Sequence, residues 1–131
     1  MNDSASPLVS IERRDDGVAV VRLQNPKVNA ISSEVLRQTR AAFEALQDNL
    51  PGAVVITGGD RFFAAGADIT EFKGADEARS IGGLFLDAFN ALAALPRPNI
   101  AAISGFALGG GGELALAGDI RIGPTQAQLV H

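Results

Sequence analysis

The sequence predicts a single domain of the α/β class, and three observations predict it. Short apolar runs of strand length recur at Val18–Leu23, Ala53–Thr57 and Ile100–Ile103. Between them lie two longer stretches whose apolar residues repeat at helical spacing, and strands alternating with helices indicate an α/β architecture. No linker or low-complexity tract divides the 131 residues, a length that suits one small domain or part of a larger one.

The elements follow in order. Leu8–Arg13 and Gly17–Leu23 read as two strands, and Asp15-Asp16-Gly17 between them is a hairpin signal. Asn25-Pro26-Lys27 breaks the pattern. Ser32 or Ser33 caps a helix that starts with Glu34, an acidic residue suited to the positive end of the helix dipole. Val35, Leu36, Thr39, Ala42, Phe43 and Leu46 fall on one face of it, and Pro51-Gly52 ends the unit. Ala53–Thr57 is apolar throughout, as in a strand of a sheet covered on both faces. Gly58-Gly59-Asp60 turns the chain. Phe62–Ile69 is apolar but small, which fits neither a packed strand nor a long helix, so a loop lying close against something is expected. A helix over Ala75–Leu95 presents Ile81, Phe85, Ala88, Phe89, Leu92 and Leu95, with Gly82-Gly83 expected to kink or shorten it. Pro96 and Pro98 stop it. A strand at Ile100–Ile103, a glycine-rich turn at Gly105–Gly112, a helix from Glu113 to Ala117 and a last strand at Asp119–Ile122 complete the order.

Charge and composition narrow the function. Lys plus Arg is 11 and Asp plus Glu 15, a net −4 that argues against a nucleic-acid partner, which calls for a basic surface. With no Cys, and with His131 as the single His, disulfides, a thiolate nucleophile, a His-based triad and a Cys or multi-His metal site are not expected. The polar start, Met1 to Pro7, lacks the features of a secretion signal, and no apolar run is long enough to span a bilayer. A soluble, cytoplasmic protein without a membrane partner is the expectation.

Two segments could hold chemistry. In Ser104–Leu114 a strand enters, four glycines (Gly109 to Gly112) follow, and a helix begins at Glu113. Glycines let backbone approach a ligand closely, and free N–H groups at a helix start stabilise an oxygen that gains negative charge. Gly110 and Glu113 lie about one helical turn apart, so both can face one site. A tight turn followed by a solvated glutamate accounts for the same residues. The dinucleotide-binding pattern fails because Leu114 stands where its last glycine belongs, and no P-loop Gly-Lys-Ser/Thr follows. The second segment, Phe63–Ile69, has small residues that leave backbone accessible and could supply another N–H donor; an alanine-rich loop packed under a helix is the plainer reading.

Together these segments resemble the crotonase family, the enoyl-CoA hydratases and isomerases, and most of all the enoyl-CoA hydratases. One family signature is similar to Phe62–Ile69, a second to Gly105–Ile120, and the family's early coenzyme-binding turn to Asn25–Ile31. The resemblance runs from about Val9 to Gln128. It implies a crotonase-like spiral of ββα units, with residues 1–131 as the N-terminal part of one such domain and the C-terminal helical region absent. It implies an oxyanion hole from the backbone N–H groups of Ala67 and Gly110 and a catalytic carboxylate at Glu113. It also implies a wall for the acyl-CoA substrate at Val28, Ala30, Ala65, Gly66, Asp68, Ile69, Leu108 and Gly109.

The implied reaction is hydration of a trans-2-enoyl-CoA thioester in fatty-acid β-oxidation. Coenzyme A is then part of the substrate, no separate cofactor or metal is needed, and full-length relatives form homo-oligomers, trimers or hexamers. The family's second hydratase glutamate would fall beyond His131. On this reading the chain alone is expected to show little hydratase activity and to expose apolar surface. Gly112 stands where many members have Cys or Leu, and Thr70 where Lys or Arg is frequent. An enoyl-CoA isomerase, another acyl-CoA enzyme of the family and a non-catalytic acyl-CoA-binding fragment are the alternatives.

Overall fold

The computed structural model describes residues 7–67, 74–103, 105–108, 119–123 and 128–130. In chain order these form β1 (Val9–Arg13), β2 (Val18–Leu23), β3 (Ala30–Ile31), α1 (Ser33–Asp48), β4 (Ala53–Thr57), β5 (Phe62–Ala64), β6 (Gly66–Ala67), α2 (Ala75–Ala93), β7 (Asn99–Ala102), β8 (Phe106–Leu108), β9 (Ile120–Ile122) and β10 (Gln128–Val130). The main sheet runs β1-β2-β4-β7-β9. Only β1 and β2 pair antiparallel; every other neighbour in it is parallel. Two small parallel sheets, β10-β8-β5 and β3-β6, lie apart from it.

The hairpin joining β1 to β2 turns where expected. The Asp16 carboxylate accepts the Val18 N–H at 3.1 Å. That bond, helped by Arg14, holds the Asp16 carboxyl below its ordinary value of 3.8. β1 is fastened to α1 at its other end, where Gln38 Oε1 accepts the N–H groups of Leu8 and Val9 at 2.8 and 3.1 Å.

Helix α1 forms as its sequence dictates. Ser32 is the cap, its Oγ accepting the Val35 N–H at 3.1 Å, with Glu34 in the first turn. Its buried residues are the six of the expected face, Val35, Leu36, Thr39, Ala42, Phe43 and Leu46. They pack with Ile81, Ala88 and Leu92 of α2 and with Val21, Ile56 and Ala101 of β2, β4 and β7, which lie opposite one another in register. Burial of each large side chain contributes about 1.5–3 kcal/mol.

Four expectations need correction. Gly82 and Gly83 do not interrupt α2, which is continuous through both. They lie on its solvent side, where an added Cβ would meet nothing. Each costs about 1 kcal/mol relative to Ala, and burial of Ile81, Ala88 and Leu92 offsets that. Phe85 and Phe89 are half-buried rather than central; their rings meet edge-on at 5.7 Å beside the core. In β4 only Val54 and Ile56 are buried, while Ala53, Val55 and Thr57 are half-covered. The helices α1 and α2 seal one face of the main sheet, and the other carries the half-covered set. Finally, Phe62–Ile69 is not simply a loop: Phe62–Ala64 and Gly66–Ala67 are short strands.

At the far edge, Asn99 and Asp119 clasp each other. The Asn99 N–H donates to Asp119 Oδ2 at 3.1 Å, and the Asp119 N–H to Asn99 Oδ1 at 2.7 Å. Beyond this clasp Ile120 and Ile122 are more than half exposed or close to it, at 50% and 59%. Among the described residues no helix is long and apolar enough to cross a membrane, and no group of His, Cys, Asp or Glu could hold a metal ion.

Candidate active site

The three segments singled out in the sequence meet in the small sheets. Phe62 of β5 lies opposite Phe106 of β8, and Ala64 opposite Ala107, with an irregularity in register between them. The two Phe rings are 5.5 Å apart and tilted, and the Arg61 guanidinium sits 5.8 Å from the Phe62 ring centre. Gly105 makes this approach possible. The Phe106 N–H donates to the Arg61 carbonyl at 3.0 Å, and a Cβ at Gly105 would run into that same carbonyl. Ala64 and Ala107 are fully buried.

The early turn joins from the other side. Ala30 of β3 lies opposite Gly66 of β6, and Ile31 opposite Ala67. Between β5 and β6 the chain bends at Gly66, whose φ of +98° is costly for any residue with a side chain. Ala65, at the bend, donates its N–H to the Asn29 carbonyl at 3.1 Å.

Asn29 is the hub of this region. It is 5% exposed and holds a left-handed φ of +55°, which Asn tolerates better than most residues. Its Oδ1 accepts the Asn25 N–H at 2.7 Å, and its Nδ2 donates to the carbonyls of Phe62 and Phe63 at 3.2 and 3.3 Å. Asn25 completes the turn by donating Nδ2 to the Ala30 carbonyl at 2.9 Å. Beside it opens a groove of about 370 Å³, with Arg22, Gln24, Lys27, Gly59 and Asp60 in its lining. Its charges are of both signs.

The structure thus places Ala65, Gly66 and the backbone of Ala67 on one side of the Asn29 turn, with Ala30 paired to them and Val28 39% exposed on the turn. Leu108 closes β8, alongside β5. The expected donor Gly110, the carboxylate Glu113, and Asp68, Ile69 and Gly109 lie outside the described residues. Asn25 and Asn29 had no individual role in the sequence reading. The signal that could have found them is an Asn-Pro turn closed by a second Asn, a residue suited both to positive φ and to bonding nearby backbone.

Strands β5 and β8 are parallel neighbours in the small sheet. Mostly parallel strands alternating with helices make this an α/β protein. The sequence model of the enoyl-CoA hydratase/isomerase family matches residues 13–130, and the chain belongs to that family. It is 42% identical over 127 residues to a Mycobacterium avium protein named "Probable enoyl-CoA hydratase", covering 93% of this chain and 49% of that one. It is 41% identical over 126 residues to a glyoxysomal fatty acid beta-oxidation multifunctional protein of Brassica napus, covering 92% of this chain and 17% of that one. The crystal structure of an enoyl-CoA hydratase/carnithine racemase from Magnetospirillum magneticum superposes with a TM-score of 0.87 at 32% identity, over 94% of this chain and 48% of that one. The fold is therefore crotonase-like, and the chain spans about half the length of most of these relatives.

Proposed function

We propose that these residues supply the thioester-polarising part of an enoyl-CoA hydratase acting in fatty-acid β-oxidation. They would form the N-terminal part of one crotonase-like domain. The observation that carries the reading is the hydrogen-bonded meeting of the three family segments, β5 with β8 and β3 with β6. On this reading the N–H groups of Ala67 and Gly110 hold the thioester oxygen as negative charge develops there. Polarisation makes the β-carbon electrophilic. Water, deprotonated by a carboxylate with Glu113 as one of the pair, forms a bond to that carbon. The displaced electron pair passes through the enolate, and a proton added at the α-carbon gives the 3-hydroxyacyl thioester. Backbone at Val28, Ala30, Ala65, Gly66, Asp68, Ile69, Leu108 and Gly109 receives the coenzyme arm. The groove beside Lys27 and Arg22 leaves room and positive charge for its phosphates.

Cinnamoyl-CoA, whose thioester is conjugated to a ring, tests the reading. Polarisation of its carbonyl moves its absorption to longer wavelength. The protein is expected to bind it and produce that shift, and Glu113→Gln to keep both. Hydration of crotonyl-CoA is the second readout: the 131 residues alone are expected to turn it over slowly, and Glu113→Gln to remove what remains. Absence of both binding and shift in the unmodified protein would sink the proposal.

A further inference from the structure

Asn29 occupies a position whose consequences reach past its own turn. Nearly every polar atom it has is bonded, and its partners belong to three different segments: Asn25 before it, Phe62 and Phe63 on β5, and Ala65 at the bend into β6. The two carbonyls bound by its Nδ2 are consecutive along β5, which grips that strand at two points next to its register irregularity with β8. The same residue's carbonyl, two atoms further along the backbone, holds the N–H of Ala65, and Ala67 follows after the Gly66 bend. A single buried residue thus holds the strand that enters the bend through its carboxamide and the bend itself through its backbone carbonyl.

From this we infer that Asn29 is a positioning residue for the Ala67 N–H: it never touches the thioester, but its carboxamide fixes the direction in which that donor points. The inference rests on the proposed polarising role of Ala67. An N–H that stabilises an oxyanion does so only when aimed at where the charge develops, and a misplacement of about 1 Å can cost about 10²-fold in rate. Packing alone does not supply that aim, because the residues here are small. Ala65, Gly66 and Ala67 offer no side chain large enough to lock the segment against the core, and the pairing with β3 together with the hydrogen bonds to Asn29 takes that role.

Two substitutions in the full chain separate positioning from folding. Asn29→Asp is nearly isosteric and keeps an acceptor for the Asn25 N–H, but it replaces two donors with an oxygen facing the carbonyls of Phe62 and Phe63. Asn29→Gly keeps the left-handed backbone, its N–H on the Asn25 carbonyl and its carbonyl on the Ala65 N–H, while removing the carboxamide and with it the acceptor for the Asn25 N–H. Each is compared with the unmodified protein for circular dichroism, calorimetric binding of free coenzyme A, which has no acyl carbonyl, and the absorption shift of bound cinnamoyl-CoA. The expected result is unchanged dichroism and coenzyme A affinity, a shift lost in Asn29→Asp, and a shift reduced in Asn29→Gly. A shift equal to that of the unmodified protein in both variants would overturn the inference and leave the proposed function standing. Loss of coenzyme A binding or of the fold in both would also overturn it, since Asn29 would then serve the whole structure rather than the donor. No shift in the unmodified protein would instead remove the proposed function, and the inference with it.

Discussion

Around Phe43 the chain is held by side chains, whereas around Asn29 it is held largely by peptide groups. Under α1 and α2, apolar residues from β2, β4 and β7 interdigitate with the helices, and Val21, Phe43, Leu46, Ile56 and Ala101 are all sealed from solvent. In the small sheets the strands are two or three residues long; Ile31 and Phe63 reach the core, and an Asn carboxamide on two carbonyls and a Phe N–H on the Arg61 carbonyl direct their course. The first kind of assembly is tolerant in position and large in energy, because dispersion and burial are non-directional. The second is smaller in energy and strict in direction, because a hydrogen bond weakens steeply when it bends. Scaffold and site are built from these two materials, and substitutions should separate them.

The largest effect is expected in the scaffold. Phe43→Ala opens a cavity at a fully buried position and should lower stability by about 3–5 kcal/mol, read from the urea midpoint. A loss below 1 kcal/mol would mean that the helices do not depend on this contact, and the comparison would collapse. Gly105→Ala strikes the site instead. Its Cβ would collide with the Arg61 carbonyl and push β8 from β5, at a cost of about 1–3 kcal/mol. The cinnamoyl-CoA shift should fall more sharply than the urea midpoint; an unchanged shift would show that the approach of β5 to β8 is not what aims the site. The smallest effect has the opposite sign. Thr39 is 1% exposed and its hydroxyl has no hydrogen-bond partner among the described residues. Thr39→Val removes that unmet group and should raise stability by about 1 kcal/mol, while leaving the shift untouched.

How far each region could be read from the sequence follows the same division. The buried face of α1 was legible residue by residue, Thr39 included, because a 3.6-residue period is a direct imprint of one-sided burial. The cap was legible only as Ser32 or Ser33, since adjacent serines suit the position equally; the structure selects Ser32. The order and placement of β2, β4 and β7 followed from apolar runs bounded by Pro and Gly. Gly82-Gly83 misled, since intrinsic propensity is weak beside burial on the helix's other face. β5 and β6 were hidden for a physical reason: strands this short carry no period, and what extends them is a pairing partner elsewhere in the chain, at β8 and β3. β10 was missed on the same ground. Resemblance, rather than periodicity, brought Asn25–Ile31 and Phe62–Ile69 together, and it assigned Asn29 no individual role.

The arrangement of the main sheet also orders events in time. β1 and β2 meet across a tight turn, so they can pair on the microsecond scale of an isolated hairpin without waiting for the strands that follow. Val21 finds Ile56, and Ile56 finds Ala101, only after α1 and then α2 have been threaded between them. Each such closure spends chain entropy ahead of its contacts, which makes non-local parallel pairing slow. β5 must wait longer still for β8, which follows α2 and β7 in the chain. The meeting of β5 with β8 is therefore among the last features this chain can acquire as it is synthesised, long after its N-terminal hairpin has closed.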